Sequence, residues 1–301
     1  MQICVAATPR VALPTLNYLK TSNHVLVSTI TQPDKPAGRG QSFRETSVSI
    51  WSRESQIPCI KPISVSETLD ALDNIDLLIT IGYGVILPEQ VFLKPKHGSI
   101  NLHFSLLPRW RGAAPVQRTI EAGDLVSGVT VFALDKGMDT GPIFVQKRFA
   151  LDSDITSDEL LEELSELGVD AITESLDLID RGIRPTPQPQ HGVTRAHKIS
   201  KEESNIDWNL PAEIISRKIR SLTSNPGARA RFRESDIKIF SPSLSDISLK
   251  PGELLAIEND LLVGTSTQAL RIAQVQPAGR AKMSSSSWVN GIRLKSGEAF
   301  E

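Results

Sequence analysis

The chain of 301 residues has only two cysteines, Cys4 and Cys59, in separate apolar stretches. Two distant cysteines form neither a disulfide framework nor a metal site, which favours a reducing, cytoplasmic setting and no bound metal. No apolar run approaches the roughly 20 residues that cross a bilayer, so no membrane association is expected. No basic segment precedes the first strand-like residues, and we therefore expect no secretory signal.

The sequence also lacks the common motifs of several enzyme classes. It has no GxGxxG, P-loop, HExxH or GxSxG pattern, the signatures of dinucleotide, nucleotide, zinc-protease and α/β-hydrolase sites. Its net charge of −2 argues against general binding of nucleic acids. The charge is unevenly distributed, because residues 204–301 contain 13 Lys and Arg against 10 Asp and Glu. This excess is either ordinary fluctuation or a preference of the C-terminal third for a polyanion.

The first two-thirds of the chain alternates strand-like and helix-like segments. Apolar runs at Gln2–Ala7 and Leu77–Ile81 are typical of buried strands, and Thr156–Arg181 has the spacing of a long amphipathic helix. Ser157, before Asp158 and Glu159, is the expected cap of this helix. The alternation predicts an α/β domain whose mostly parallel sheet is covered on both faces.

The pattern changes at Pro185, Pro187 and Pro189, which are typical of a stiff linker. Beyond one helical stretch at 211–222, the segments are short, strand-like and separated by turn residues, as in a small sandwich or barrel. Ser284–Ser287 is a low-complexity patch. The expected organisation is a first domain over 1–184, a linker over 185–203 and a second domain over 204–301.

The densest group of polar, chemistry-bearing residues follows the strand-like run 98–103. Alternation along a strand places Asn101 and His103 on one face, at the strand end where open α/β sheets bind ligands. An amide that stabilises an oxyanion and an imidazole that carries a proton suit carbonyl chemistry. Asp135 and Asp139 flank a glycine-containing turn, and one of them could orient His103 or hold a water. Taken alone, a structural histidine and an ordinary turn are the simpler interpretation.

Longer motifs carry a resemblance to a known family. Asn101-Leu-His-Phe-Ser-Leu-Leu-Pro108 with Arg109-Trp-Arg-Gly-Ala-Ala-Pro-Val-Gln117 resembles the methionyl-tRNA formyltransferases. So do 31–40, 138–141, 194–203, Ile206-Asp-Trp208 and 225–227, and the resemblance covers nearly the whole chain. The first motif is shared by all folate-dependent formyltransferases of this fold, whereas 32–40 and the C-terminal motifs narrow it to the tRNA enzyme. Ala7, Arg10 and Val11 depart from the family pattern.

The resemblance implies a Rossmann-like catalytic domain and a C-terminal β-barrel resembling an OB-fold that binds tRNA. It implies transfer of the formyl group of 10-formyltetrahydrofolate to the α-amine of methionine on initiator methionyl-tRNA, releasing tetrahydrofolate, by a monomer without metal. The family's catalytic triad matches Asn101, His103 and Asp139. Its folate segment matches Ser105, Leu106, Leu107 and Pro108.

Basic residues in the loop 32–40 and the second domain are the expected tRNA contacts. They are Lys35, Arg39, Lys198, Lys201, Arg217, Arg229 and Arg231, with Lys218, Arg220 and Arg233 as further candidates. A solvated basic face is the alternative.

Two other functions use the same residues. A formyltransferase for a nucleotide sugar or a purine precursor would share Asn101, His103 and Asp139 without needing the loop 32–40 or the basic second domain. A catalytically inactive nucleic-acid-binding protein would keep the fold, but the intact triad argues against it.

Overall fold

The computed structural model describes residues 1–37, 42–223 and 226–301. Their contacts define two units. The first unit comprises Met1–Pro115, Val126–Ala150 and Leu161–Ala196, and the second comprises Val116–Leu125, Leu151–Leu160 and His197–Glu301.

The described residues form short strands and mostly short helices. In chain order, the strands are β1 Gln2–Ala7, β2 Val25–Ile30, β3 Lys35–Ala37, β4 Ser42–Arg44, β5 Cys59–Ile60, β6 Leu77–Ile81, β7 Ser99–His103, β8 Arg111–Gly112, β9 Val126–Ala133, β10 Ile143–Ala150, β11 Arg195–Ala196, β12 Ala228–Phe232, β13 Ser235–Leu244, β14 Leu254–Ile257, β15 Asp260–Val263, β16 Leu270–Pro277 and β17 Met283–Ser284. The α-helices are α1 Leu13–Thr21, α2 Ser47–Ser55, α3 Val65–Asp70, α4 Glu89–Phe92, α5 Pro115–Ala122, α6 Ser157–Asp180, α7 Ala212–Ser221 and α8 Ser285–Ile292. Arg10–Ala12 and Glu202–Ser204 are 3₁₀ turns.

The first unit is built on a seven-stranded sheet in the order β10-β9-β7-β6-β1-β2-β5. The strands from β7 to β5 are parallel, and β9 and β10 add an antiparallel edge. The prediction of a mostly parallel, Rossmann-like sheet is therefore confirmed. Strand β10 was not predicted, because Gln146, Lys147 and Arg148 interrupt its apolar residues.

The central strands are buried on both faces, as continuous apolar runs predict. Cys4, Leu78 and Val91 belong to one apolar cluster, and the alternate residues Ile3 and Ile79 are also fully buried. Burial raises the pKa of the Cys4 thiol to about 12, so this cysteine is a packed core side chain rather than a nucleophile.

Helix α6 begins one residue later than expected, and its cap differs from the prediction. The Oγ1 of Thr156 accepts a hydrogen bond from the backbone N–H of Glu159 at 3.4 Å, and the Glu159 carboxylate accepts one from the Thr156 N–H at 2.9 Å. This reciprocal pair is a capping box. Ser157, the predicted cap, is instead the first residue of the helix.

The second unit contains an antiparallel sheet in the order β12-β13-β16-β15-β14, with β17 added to β16. Its core includes four large aromatic side chains: Trp208, Phe232, Trp288 and Phe300. The Trp208 and Phe300 rings stack at 5.6 Å, and the Phe232 and Trp288 rings meet edge to face at 5.1 Å. The predicted short strands of the second domain are confirmed and pair in antiparallel fashion, while closure into an OB-like barrel stays a prediction.

Two segments have more structure than the sequence indicated. Part of the predicted loop 32–42 forms the antiparallel pair β3–β4, in which Lys35 lies opposite Arg44. The serine patch begins helix α8, because the Ser284 side chain accepts a hydrogen bond from the Ser287 N–H at 3.2 Å.

Residues 186–196, which follow the long helix, are hydrogen bonded into the first unit. Thr186 and Ile143 exchange two backbone hydrogen bonds, at 2.7 and 2.8 Å. Strand β11 pairs in parallel with β8, and Ala196 lies opposite Gly112. A Cβ atom on Gly112 would lie 2.5 Å from the Ala196 carbonyl oxygen, so this close approach requires glycine. The segment that carries the prolines is therefore joined to the sheet through two separate sets of backbone hydrogen bonds.

Candidate active site

Asn101 lies on β7 at the carboxyl edge of the parallel strands. It is opposite Thr80 of β6, and its Nδ2 donates a hydrogen bond to the Thr80 Oγ1 at 2.8 Å. This bond uses one of the two N–H groups of the amide, so the side chain keeps a second donor. The structure thus places a fixed amide where the sequence predicted one.

His103 ends β7, and its imidazole has one firm partner. The ring is 7 % exposed, and its Nε2 lies 2.9 Å from the Trp110 carbonyl oxygen. A carbonyl oxygen only accepts, so Nε2 carries the proton of this hydrogen bond. In the neutral ring, Nδ1 is then the nitrogen with a free lone pair.

Asp139 is the carboxylate that faces His103. Its Oδ2 lies 3.8 Å from the His103 Nδ1, within ion-pair range but beyond a hydrogen bond. The same oxygen accepts a hydrogen bond from the Gly112 N–H at 2.7 Å. Asp139 has a φ of +55°, a left-handed backbone that is uncommon for residues other than glycine. This conformation and the Gly112 contact together direct the carboxylate to the imidazole.

Asp135, the alternative to Asp139 in the sequence, has a different role. Its Oδ1 accepts hydrogen bonds from the Gly137 N–H at 3.0 Å and from the Thr140 hydroxyl at 2.7 Å. Both partners belong to its own turn, so Asp135 stabilises the loop that presents Asp139.

A cavity of about 620 Å³ opens at these residues. Asn101, His103 and Asp139 line it together with apolar side chains of the segment after β6, including Val85 and Ile86. These two side chains are 49 % and 84 % exposed, and sequence reasoning did not identify them. The sequence feature that could have indicated them is the Gly82-Tyr83-Gly84 turn, which follows a buried strand. It lies at the carboxyl edge of the sheet, where such sheets bind ligands. A cavity of this size with an apolar wall and a few polar groups fits a small organic ligand.

The predicted folate segment, Ser105 to Pro108, follows β7 and is packed inside the protein rather than against the cavity. Ser105, Leu107 and Pro108 are buried and Leu106 is half-buried, and none of the four lines the cavity. The Thr130 hydroxyl donates to the Ser105 carbonyl at 2.6 Å and accepts from the Leu107 N–H at 3.1 Å. The segment is therefore fixed to β9, and its role in folate binding stays a prediction.

The predicted tRNA contacts lie in different environments. Lys35 donates a hydrogen bond to the Gln32 side chain at 2.7 Å, and Arg39 lies outside the described residues. Of the predicted contacts in the second unit, Lys198, Lys201 and Arg231 are exposed, and Arg217, Lys218 and Arg229 are half-buried.

Two of the further candidates are engaged within the protein. The guanidinium of Arg220 donates to the Ile155 carbonyl at 2.9 Å, and burial lowers its pKa. Arg233 forms two hydrogen bonds with Glu298, at 2.6 and 2.7 Å.

The described residues contain neither a candidate membrane span nor a candidate metal site. No helix in 1–37, 42–223 or 226–301 is long and apolar enough to cross a membrane. In the same residues, no three His, Cys, Asp or Glu side chains group as metal ligands would.

Comparison with known proteins places this chain among the formyl transferases. The formyl transferase family matches residues 1–176, and the formyl transferase C-terminal domain matches residues 198–293. The chain is 39 % identical to a methionyl-tRNA formyltransferase of Acidothermus cellulolyticus and 38 % identical to one of Salinispora arenicola, over the full length of each. The chain belongs to the methionyl-tRNA formyltransferase family, and it is a formyltransferase.

Solved structures share the fold. The methionyl-tRNA formyltransferase of Clostridium thermocellum has a TM-score of 0.60 at 19 % identity, covering 82 % of this chain and 94 % of that one. HypX from Aquifex aeolicus, solved with tetrahydrofolic acid, has a TM-score of 0.73 at 19 % identity and covers 99 % of this chain. This chain spans 48 % of the length of that HypX.

The geometry predicts that His103 and Asp139 each matter for turnover rather than for folding. His103→Ala removes the ring that faces the carboxylate, and Asp139→Asn removes the charge while keeping the shape. Each should lower kcat about 10²–10⁴-fold, the usual effect of losing a proton-transfer or charge-stabilising group. Steady-state formyl transfer measures this, with thermal unfolding as the control for folding. Near-normal turnover by either variant would remove that residue from the mechanism.

Proposed function

We propose that this chain transfers the formyl group of 10-formyltetrahydrofolate to the α-amine of methionine on initiator methionyl-tRNA. The convergence of Asn101, His103 and Asp139 on one cavity carries the proposal. A second support is that relatives named methionyl-tRNA formyltransferase align with this chain over their full length. The products are tetrahydrofolate and formylmethionyl-tRNA, the form used in translation initiation.

The cavity suits the formyl donor. Its apolar wall, with Val85 and Ile86, provides a surface for a flat heteroaromatic ring, while the polar side chains lie together on β7 and the Asp139 turn. The folate supplies the formyl carbon. Tyr83 also lines the cavity, and burial raises the pKa of its hydroxyl, so this group stays neutral at physiological pH.

Asn101 stabilises negative charge on the formyl oxygen when the amine attacks. Its position is set before the reaction by the hydrogen bond to Thr80, and its second N–H is the donor for the oxyanion. A donor fixed in advance needs no reorganisation as the charge develops, which is the main advantage of such a group.

His103 moves the proton that formyl transfer must relocate from the amine to the leaving nitrogen. Its Nε2–H is engaged by the Trp110 carbonyl, so the neutral ring accepts at Nδ1. The imidazolium that results lies beside Asp139, whose carboxylate stabilises the positive charge. His103 can then return the proton from Nδ1 to the leaving nitrogen as the bond between that nitrogen and the formyl carbon breaks.

Domain bounds and cellular setting belong to the same proposal. We propose the domain bounds that the sequence indicates, which are a catalytic domain over 1–184, a linker over 185–203 and a tRNA-binding domain over 204–301. The protein acts as a monomer in the cytoplasm, where methionyl-tRNA is used. The free thiols Cys4 and Cys59 suit a reducing compartment.

The sheet of the second unit supports a phosphate contact at Arg229. Arg229 on β12 lies directly opposite Lys238 on β13, and within the described ranges neither side chain forms an ion pair with a carboxylate. Burial, and then the charge of Arg229, lower the pKa of Lys238. Like charges facing each other across a sheet are destabilising, and a bound phosphate would relieve the repulsion. Arg231 lies opposite Asp236, a residue of opposite charge, so no such repulsion between like charges is expected there.

The acceptor distinguishes this function from its alternatives. With 10-formyltetrahydrofolate as donor, we expect formylation of initiator methionyl-tRNA and none of free methionine or a nucleotide-linked amino sugar. Mass spectrometry of each acceptor detects the added formyl group. Preferential formylation of the amino sugar would identify a sugar formyltransferase, and no transfer to any acceptor would identify an inactive binding protein.

The tRNA surface makes a separate prediction. Arg229→Glu should raise KM for methionyl-tRNA about tenfold, the loss expected for one charge-assisted contact of about 1.5 kcal/mol. Arg231→Glu should raise it less, because Asp236 lies opposite. The salt slope of tRNA binding should fall by about one unit for each lost contact, and KM for 10-formyltetrahydrofolate should not change.

Arg271→Glu provides a matched control for this charge reversal. Arg271 lies on β16 of the same sheet and already pairs with Asp260 at 2.7 Å. Its reversal should leave KM for tRNA within about twofold of the wild type. If the Arg229 reversal changes KM for tRNA no more than the Arg271 reversal does, then Arg229 belongs to the solvated surface and does not contact tRNA.

A further inference from the structure

Gln188 is a buried polar side chain that the chemistry described so far does not use. It lies in the proline-bearing segment and is 6 % exposed. Its Nε2 donates to the Asp139 carbonyl at 2.9 Å and to the Gly141 carbonyl at 2.8 Å. Its Oε1 accepts from the Nε of Arg111 at 3.2 Å and from the Nη2 at 2.6 Å. Both N–H groups and both lone pairs of the amide are therefore occupied.

These bonds complete a closed ring around the Asp139 turn. Gln188 holds the Asp139 carbonyl, and the Asp139 carboxylate accepts from the Gly112 N–H. Gly112 follows Arg111 along the chain, and Arg111 returns to Gln188. One side chain thus connects the turn that presents the carboxylate with the strand that fixes its Oδ2.

The Asp139 turn needs such a support. A residue other than glycine with a φ of +55° persists only when its surroundings determine the conformation. The Gln188 amide grips the turn at Asp139 and Gly141, on either side of Thr140. A displacement there moves the carboxylate relative to the His103 Nδ1, which lies 3.8 Å away.

The surrounding backbone does not depend on this side chain. The Thr186–Ile143 pair and the β8–β11 pair hold the segment through main-chain atoms on either side of Gln188. A variant at position 188 therefore keeps the strand pairing of the segment and loses only side-chain hydrogen bonds, those to the Asp139 turn and those from Arg111.

We propose that Gln188 is a positioning residue for catalysis, which sets the distance between the Asp139 carboxylate and His103 through the Asp139 turn. The inference rests on the proposed function, because it assigns Asp139 a role in proton transfer. Gln188 itself is not among the residues that line the cavity, so it acts through Asp139 and not on a substrate.

Two substitutions separate the contact of Gln188 with the Asp139 turn from its contact with Arg111. Gln188→Glu can keep the contact with Arg111 but places an oxygen against the Asp139 and Gly141 carbonyls. Gln188→Met has a similar length and makes neither set of bonds. Each should lower kcat about 10–100-fold, the effect of a misplaced catalytic group, while KM for both substrates stays within about twofold. Gln190→Glu is the matched control, since Gln190 is exposed two residues further on, and it should leave kcat unchanged.

A double-mutant cycle with Asp139→Asn separates positioning from a general structural effect. Single-turnover rates with excess enzyme resolve slow variants. If Gln188 acts through Asp139, Gln188→Met should cause no further loss in the Asp139→Asn background. Additive losses, an effect confined to KM, or an unchanged kcat in both Gln188 variants would overturn the inference. Full activity of Asp139→Asn alone would instead overturn the proposed role of Asp139.

Discussion

The hydrogen bond between the His103 Nε2 and the Trp110 carbonyl is the constraint on which the proposed chemistry depends. Because the carbonyl can only accept, it fixes which ring nitrogen carries the proton and leaves the Nδ1 lone pair facing Asp139. Without this bond, the ring could present either nitrogen to the carboxylate. The proposed roles of His103 and Asp139 therefore follow from a main-chain oxygen seven residues away from the histidine.

The segment that supplies this oxygen is itself held by the chain after the long helix. Thr194 bonds the Trp110 N–H through its hydroxyl at 2.8 Å, and its carbonyl accepts from the Arg111 N–H at 3.0 Å. The same stretch contains Gln188, which grips the Asp139 turn. Residues 186–196 thus support both His103, through Trp110, and Asp139, through Gln188. The stretch that the sequence indicates as a linker supports the site of the first unit.

Much of the fold could be predicted because burial leaves a local pattern. The strand at Leu77–Ile81 was predicted at its observed bounds from an uninterrupted apolar run, and Asn101 and His103 from two-residue alternation. The choice of Asp139 over Asp135 came only from the family resemblance, because residue patterns alone left it open. It depends on a left-handed backbone and on the Gly112 N–H, which is distant in sequence. The role of Gln188 was hidden for the same reason, since all of its partners come from other segments.

The most direct test of this account is the tautomer of His103. Nitrogen-15 NMR of histidine-labelled protein, with His103→Ala used to assign the signal, reports which ring nitrogen carries the proton in the neutral form. The account predicts a protonated Nε2 and an unprotonated Nδ1, in the wild type and in Asp139→Asn alike, because the Trp110 carbonyl sets the tautomer. A neutral ring with its proton on Nδ1 would contradict it, since His103 could not then accept a proton beside Asp139.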